Sequence, residues 1–155
     1  MSIPALLPPR PSPKPVALVE VLANLGAHPA AEVPSTVSGA AMDSRRVQPG
    51  DIYIAVPGAH HHGATFASDA ARLGAACVLT DDVGAELAAA SGLPVITVAN
   101  PRTVAGDVAA RAFGQPADAL TMVGITGTNG KTTMSFLLES IFARAGRVTG
   151  VIGTT

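Results

Sequence analysis

The fold is decided by the stretch from Leu120 to Thr133, L-T-M-V-G-I-T-G-T-N-G-K-T-T. Its apolar run, 120–125, has the length and composition of a buried parallel strand, and a glycine-rich turn follows. After Lys131, apolar residues recur every three or four positions, which predicts a helix with one apolar face. A strand, a glycine turn and a helix N-terminus in this order predict an anion site, because the unpaired first amides of the helix and its positive dipole end point into the turn.

The residue types in this turn suit a phosphate ligand. Gly127 and Gly130 allow positive φ angles and a close approach of the backbone to phosphate oxygens. Lys131 can reach the outer phosphates of a nucleotide, and the Thr132 hydroxyl can bind Mg²⁺. Thr128 and Thr133 are secondary donors. The alternative is a plain strand-to-helix connection without a ligand. The simplest P-loop pattern is not met, because Ile125 occupies the position of its first glycine, and the stretch reads G-x-x-G-x-x-G-K-T.

Composition limits the remaining classes. The chain has 155 residues, 48% of them hydrophobic and 14% charged, so we expect one domain with a packed core, or one domain and a piece of another. A net charge of −1 and an aromatic content of 3% argue against nucleic acid and membrane surfaces as partners. The single Cys77 is expected in the core. With no long apolar run and no signal peptide, the sequence predicts a cytoplasmic protein.

Strand and helix patterns alternate along the chain, which predicts an α/β fold with a largely parallel sheet. A flexible proline-rich leader is expected at 1–15. Helices are predicted at 16–25, 66–73, 83–90 and 103–113, with Pro101 at an early helical position, and strands at 35–42, 52–56, 75–80 and 93–99, with loops at 28–34 and 57–63.

The linker-like residues 114–118 suggest a domain boundary. We expect a first domain at 16–116 and the truncated start of a second at 117–155, where the glycine turn lies in a first βαβ unit whose second strand is Val148–Ile152. The acid that usually holds Mg²⁺ in such sites is expected outside this stretch, because Glu139, the only acidic residue after Lys131, lies two turns inside the helix.

The decamer G-I-T-G-T-N-G-K-T-T at 124–133 resembles the ATP-binding signature of the Mur ligases and their relative folylpolyglutamate synthase. Upstream, M-D-S-R at 42–45, P-G-D-I-Y-I-A-V-P-G at 49–58, and Gly63 before Phe66 resemble the N-terminal domain of the family member that adds the third amino acid of the peptidoglycan stem peptide. The resemblance covers about residues 35–155.

The resemblance implies an N-terminal domain that binds the UDP end of the substrate, followed by the first βαβ unit of a P-loop ATPase domain. It implies an ATP-dependent ligase that activates UDP-N-acetylmuramoyl-L-Ala-D-Glu as an acyl phosphate and joins it to diaminopimelate or lysine. Carried over by position, the ATP-binding residues are Gly127, Thr128, Asn129, Gly130, Lys131, Thr132 and Thr133, with Lys131 on the phosphates as the catalytic residue and Thr132 near Mg²⁺. The UDP-binding residues are Met42, Ser44, Ala59, His60 and His61.

Several alternatives stay open. The chain could belong to another Mur ligase or a folylpolyglutamate synthase-like enzyme, or it could be a nucleotide-binding module without catalysis. The histidines at 60–62 could bind a metal instead of a uridine. Asp43, Ser44 and Arg45 could form an Asx turn, and Arg45 and Arg46 could bind a diphosphate or lie on the surface. Asp81 and Asp82 fit a helix start.

Overall fold

The computed structural model describes residues 14–29 and 32–153. The chain divides into two compact units, Met1–Ala119 and Leu120–Thr155. Most of the predicted leader, 1–15, lies outside the described residues. Among those described, no helix is long and apolar enough to cross a membrane.

The first unit is built on a five-stranded sheet. The strands of this unit are β1 (Val16–Ala17), β2 (His28–Pro29), β3 (Thr36–Val37), β4 (Gly39–Ala41), β5 (Asp51–Ile54), β6 (Cys77–Thr80) and β7 (Val95–Thr97). In the sheet, β4, β5, β6 and β7 are parallel neighbours in that order, and β2 joins β7 as an antiparallel edge. The strands β1 and β3 form a separate antiparallel pair.

Helices cover both faces of this sheet. They are α1 (Leu18–Leu22), α2 (Ala67–Arg72), α3 (Asp82–Ala88) and α4 (Pro101–Ala112). Because side chains alternate along a strand, Ile52 and Ile54 pack with α1 and α4, whereas Tyr53 and Ala55 pack with the alanines of α2 and α3. The strands β5 and β6 are buried throughout, which explains their continuous apolar pattern.

The predicted α/β class with a parallel sheet is confirmed, and the predicted strands and helices of this unit form with bounds that differ by a few residues. The last helix begins at Pro101, two residues before its predicted start, and the strand predicted at 35–42 forms as two strands, β3 and β4, that lie in different sheets. Two local expectations are wrong. The helix predicted at 16–25 is limited to Leu18–Leu22, because 16–17 pairs with β3 as a strand. The loop predicted at 28–34 contains β2, whose two residues are too few to show a periodic pattern.

The second unit contains α5 (Lys131–Arg144), as predicted. The strands predicted on either side of it, 120–125 and 148–152, are not formed in the described part of this unit. A strand needs a hydrogen-bonded neighbour, and the described residues 120–153 contain no sheet that either segment could join. Their apolar side chains are accordingly exposed, as at Leu120, Met122 and Ile152. The expected βαβ unit is therefore wrong in its strands and correct in its helix.

Gly84 lies in a tightly packed part of the first unit, and it provides a test of the packing. A Cβ added there would lie 1.9 Å from Thr80 Oγ1 and 2.6 Å from His62 Cε1. We predict that Gly84→Ala lowers the free energy of unfolding by about 1–3 kcal/mol in urea denaturation, because the core cannot accept the methyl group without moving.

The matched control is Gly106→Ala in α4, where an added Cβ meets nothing within 4 Å. It should be neutral or stabilising by about 0.5–1 kcal/mol, as expected for a helical glycine replaced by alanine. Equal effects of the two substitutions would contradict the packing around Gly84.

Candidate functional site

The carboxyl ends of the parallel strands β4 to β7 lie along one edge of the sheet, where ligands bind in open α/β folds. Polar segments follow each strand at this edge. They are 42–46 after β4, 57–63 after β5, Asp81 after β6, and 100–102 after β7. The segment after β7 is tied to the loop after β5, because Arg102 Nη2 donates a 2.5 Å hydrogen bond to the Pro57 carbonyl.

The predicted Asx turn forms after β4. Asp43 Oδ1 accepts hydrogen bonds from the Arg45 amide at 3.0 Å and from Arg45 Nε at 2.9 Å, and Asp43 Oδ2 accepts one from Nη2 at 2.8 Å. These bonds to Arg45 lower the pKa of the Asp43 carboxyl to about 2. Its carboxylate caps the short 3-10 helix Ser44–Arg46, and the exposed Arg45 guanidinium is paired with the same carboxylate.

The two residues predicted to bind UDP in this turn have different surroundings. Met42 is half exposed and lines a surface hollow of about 360 Å³ together with Asp43, Arg46 and Phe113. Ser44 is 8% exposed and its side chain hydrogen bonds to Tyr53. Met42 is thus directly accessible to a ligand, whereas the buried Ser44 holds the turn through its hydrogen bond to Tyr53.

Tyr53 connects the two groups of predicted UDP-binding residues. Its ring is buried, its hydroxyl donates a 2.8 Å hydrogen bond to the backbone carbonyl of Gly63, and the Ser44 side chain also hydrogen bonds to it. Burial, and then the negative charge of Asp43, raise the pKa of Tyr53 to about 12. The sequence analysis did not identify this residue, because a tyrosine inside an apolar strand looks like an ordinary core residue.

The loop after β5 is a closed turn with an exposed tip. Pro57 and His62 form an antiparallel bridge, and the Gly58 amide donates to the His61 carbonyl at 3.1 Å. A Cβ on Gly58 would lie 2.5 Å from that carbonyl oxygen, so the turn requires a glycine. The tip consists of Ala59, His60 and His61, which are all exposed and therefore accessible to a ligand.

His62 differs from its two histidine neighbours. Its ring lies largely inside, with Nδ1 accepting the Ala64 amide at 3.0 Å and Nε2 3.1 Å from Asp81 Oδ1. The same Asp81 oxygen accepts the Gly84 amide at 2.8 Å and caps α3, which is the role that the sequence indicates for this acid. Within residues 14–29 and 32–153, no group of three or more His, Cys, Asp or Glu side chains is arranged to hold a metal ion.

The glycine loop of the second unit has the conformation that its sequence predicts. Gly127 and Gly130 have φ angles of 149° and 77°, and the first helical hydrogen bond of α5 runs from the Met134 amide to the Gly130 carbonyl at 2.9 Å. The amides of 131–133 precede that bond and begin the helix. Lys131 Nζ donates to the Gly127 carbonyl and, at 3.5 Å, to the Thr128 carbonyl. Its ammonium group therefore lies over the loop.

A hollow of about 270 Å³ adjoins this loop within the second unit. Lys131, Thr132 and Ser135 provide its polar lining, and the remaining lining is mainly apolar: Val123, Ile125, Phe136, Val151, Ile152 and Gly153. The side chains of Thr128, Asn129, Thr132 and Thr133 are exposed around the turn. A positive charge and exposed hydroxyl groups beside amides at a helix N-terminus suit a phosphate group.

A family model described as "Mur ligase family, catalytic domain" matches residues 36–113, which include both the Asp43 turn and the histidine loop. The chain belongs to the Mur ligase family. A relative named UDP-N-acetylmuramoyl-L-alanyl-D-glutamate--2,6-diaminopimelate ligase, from Streptomyces avermitilis, is 49% identical over 148 residues, which are 95% of this chain and 29% of the relative. The chain thus spans less than a third of the length of that Mur ligase.

Solved structures of Mur ligases share the fold. The ligase named UDP-N-acetylmuramoylalanyl-D-glutamyl-2,6-diaminopimelate--D-alanyl-D-alanyl ligase, from Acinetobacter baumannii, is similar with a TM-score of 0.65 and 20% identity, over 86% of this chain and 29% of that one. MurF ligase from Thermotoga maritima, solved in complex with ADP, has a TM-score of 0.50 and 21% identity over 68% of this chain and 23% of that one. At these identities the likeness concerns the fold.

The Asp43 turn predicts a measurable titration. Because the pKa of Asp43 is lowered from 3.8 to about 2, its contribution to stability is present above pH 3.8 and is lost as the pH falls towards 2. We predict that Arg45→Ala raises the pKa of Asp43 part of the way back towards 3.8, because the substitution removes the side-chain hydrogen bonds, which are the largest cause of the shift, and keeps the bond from the backbone amide of residue 45. NMR titration of the carboxyl carbon measures it.

The matched control is Arg72→Ala, which removes an exposed arginine paired with Asp69. It should leave the Asp43 titration unchanged. An Asp43 pKa near 3.8 in the unsubstituted chain would show that the turn is open in solution.

Proposed function

We propose that this chain supplies the UDP-substrate-binding region and the phosphate-binding loop of an ATP-dependent ligase. The ligase adds the third amino acid to UDP-N-acetylmuramoyl-L-Ala-D-Glu in peptidoglycan precursor synthesis. The observation that carries the proposal is the 49% identity to the diaminopimelate ligase of Streptomyces avermitilis, which extends over 95% of the chain. Diaminopimelate, named for that relative, is the proposed amino-acid co-substrate, with lysine as the alternative. The proposed location is the cytoplasm.

The proposed UDP site is the edge of the first unit where β4 and β5 end. Met42 and the exposed tip Ala59–His61 lie on the two neighbouring connections, and the Tyr53 hydroxyl ties these connections together through Ser44 and Gly63. The imidazole rings of His60 and His61 offer donors and acceptors to a nucleoside or a diphosphate. At this edge, the bonds of Tyr53 fix the backbone of the two connections, and exposed polar groups lie on them.

The proposed ATP site is the glycine loop at 127–133. Lys131 would exchange its bonds to the Gly127 and Thr128 carbonyls for phosphate oxygens, and the amides at the start of α5 would bind the same group. The exposed Thr132 hydroxyl is an oxygen donor of the kind that Mg²⁺ prefers, so this residue fits a bound ion. Bound Mg²⁺ supplies charge neutralisation at the phosphates.

The chemistry explains why a phosphate loop and a UDP-peptide site belong to one enzyme. A carboxylate is a poor electrophile at neutral pH, and its phosphorylation by ATP gives an acyl phosphate with a good leaving group. The amine of the incoming amino acid then attacks the acyl carbon and phosphate leaves. Lys131 contributes by holding the transferred phosphoryl group and balancing its charge, which makes it the proposed catalytic residue.

A ligase that acts on a different UDP-peptide is the second candidate, since the similar solved structures include MurF ligases. The sequence identity to the solved structure from Acinetobacter baumannii is 20%, which supports a shared fold only. The relative that is 49% identical in sequence is named as a diaminopimelate ligase. A nucleotide-binding module without catalysis is the third candidate. Turnover of UDP-muramoyl dipeptide and tripeptide by an enzyme that contains this chain separates the three.

Lys131 provides the direct test of the phosphate site. We predict that Lys131→Ala weakens binding of ATP, with Mg²⁺ present, by about ten- to hundredfold in calorimetric titration of the 155-residue chain, because a charged hydrogen-bond donor is lost. UDP binding should be unchanged, because the proposed UDP site lies on the first unit.

Lys14→Ala is the matched control, since Lys14 is the only other lysine of the chain and is exposed. It should bind both nucleotides as the unsubstituted chain does. ATP binding that is equal in the Lys131→Ala and Lys14→Ala variants would refute the phosphate site.

A further inference from the structure

His62 has the surroundings of a functional histidine, although the resemblance assigns it no role. Its side chain is 12% exposed, whereas His60 and His61 lie at the exposed tip of the same loop. Both ring nitrogens are used, Nδ1 by the Ala64 amide at 3.0 Å and Nε2 by Asp81 Oδ1 at 3.1 Å. Since Nδ1 accepts a hydrogen bond, this network assigns the imidazole proton to Nε2.

The His62 ring also packs closely against Gly84. Gly84, in the first turn of α3, lies so close that a Cβ there would be 2.6 Å from His62 Cε1. Asp81 follows β6 directly and binds both the Gly84 amide and His62. The preceding Thr80 is buried and its hydroxyl donates to the Ala55 carbonyl at 2.9 Å. The imidazole is thus held between the start of α3 and the histidine loop.

The backbone of His62 closes that loop. It bridges to Pro57, and its carbonyl accepts the Thr65 amide at 3.1 Å and the Thr65 hydroxyl at 2.8 Å. The next amide, of Gly63, donates to the Val56 carbonyl at 2.9 Å. With both its backbone and its ring fixed, His62 determines where the tip Ala59–His61 stands above the sheet edge.

We propose that His62 is a positioning residue for the UDP end of the substrate, which holds the tip of the histidine loop in its binding conformation through the Nε2–H bond to Asp81. This inference rests on the proposed UDP site. A loop that is already ordered loses less conformational entropy when the ligand binds, so the His62–Asp81 bond increases affinity without touching the ligand.

Two substitutions separate this role from the capping roles of the same residues. His62→Asn keeps a side-chain acceptor for the Ala64 amide, but its side chain is too short to reach Asp81. Asp81→Ser keeps a capping oxygen for α3 and loses the reach to the ring in the same way. His28→Asn is the matched control, because His28 is an exposed histidine on β2, which β7 and β6 separate from β5 in the sheet.

The experiment measures UDP dissociation constants by calorimetry and amide hydrogen exchange by NMR on the full 155-residue chain. We expect His62→Asn and Asp81→Ser each to weaken UDP binding about tenfold, the double variant to be no weaker than either, and His28→Asn to match the unsubstituted chain. The Gly58 and Gly63 amides should exchange faster in the two variants. The imidazole nitrogen shifts of the unsubstituted chain should show the Nε2–H form of His62.

Unchanged UDP affinity in variants that only melt earlier would overturn the positioning role and leave His62 a structural residue. If the unsubstituted chain itself fails to bind UDP, the proposed UDP site is wrong. Amide exchange then tests separately whether His62 orders the loop. Faster exchange at Gly58 and Gly63 in His62→Asn would still support control of the loop by His62, and unchanged exchange would overturn it.

Discussion

Parallel hydrogen bonding between β4, β5, β6 and β7 is the constraint on which the first unit depends. The pairs Ala41↔Tyr53, Ile54↔Leu79 and Thr80↔Thr97 set the register, so that the four strands end at one edge. Both faces of β5 and β6 are buried. A shift of β5 by one residue would therefore turn its isoleucines towards α2 and α3, and Tyr53 and Ala55 towards α1 and α4. The Asp43 turn, the histidine loop and Asp81 meet because this register holds.

Much of this fold follows from the sequence, since buried strands and one-sided helices differ in apolar period. The pattern gives the order and type of the elements from β4 to α4. It does not give β2, which exists only because two residues meet the edge of β7. The strands predicted beside α5 do not form, for a related reason. An apolar run indicates a preference for the extended conformation, but a strand forms only where a neighbouring strand can hydrogen bond to it. Periodicity is a local property and pairing is not.

The same distinction applies to the candidate site. Features made by consecutive residues are predictable, such as the capping of Ser44–Arg46 by Asp43 or the positive φ angles of Gly127 and Gly130. The bonds that join separate segments are not. Tyr53, which lies within β5, hydrogen bonds to Gly63 ten residues later. His62 and Asp81, which hydrogen bond to each other, are separated in the sequence by α2 and β6. No spacing rule links these pairs, because the sheet register and the packing of α3 bring them together.

The strand β2 has a consequence for the behaviour of the molecule at high concentration. It is the outer strand on one side of the sheet, it is two residues long, and its second residue is Pro29. Proline has no amide hydrogen, so a strand of two residues that includes a proline offers few backbone donors to a strand of another molecule. Growth of the sheet from one molecule to the next is therefore disfavoured on that side, and the reason is the shortness and the proline of β2 instead of repulsion between charges.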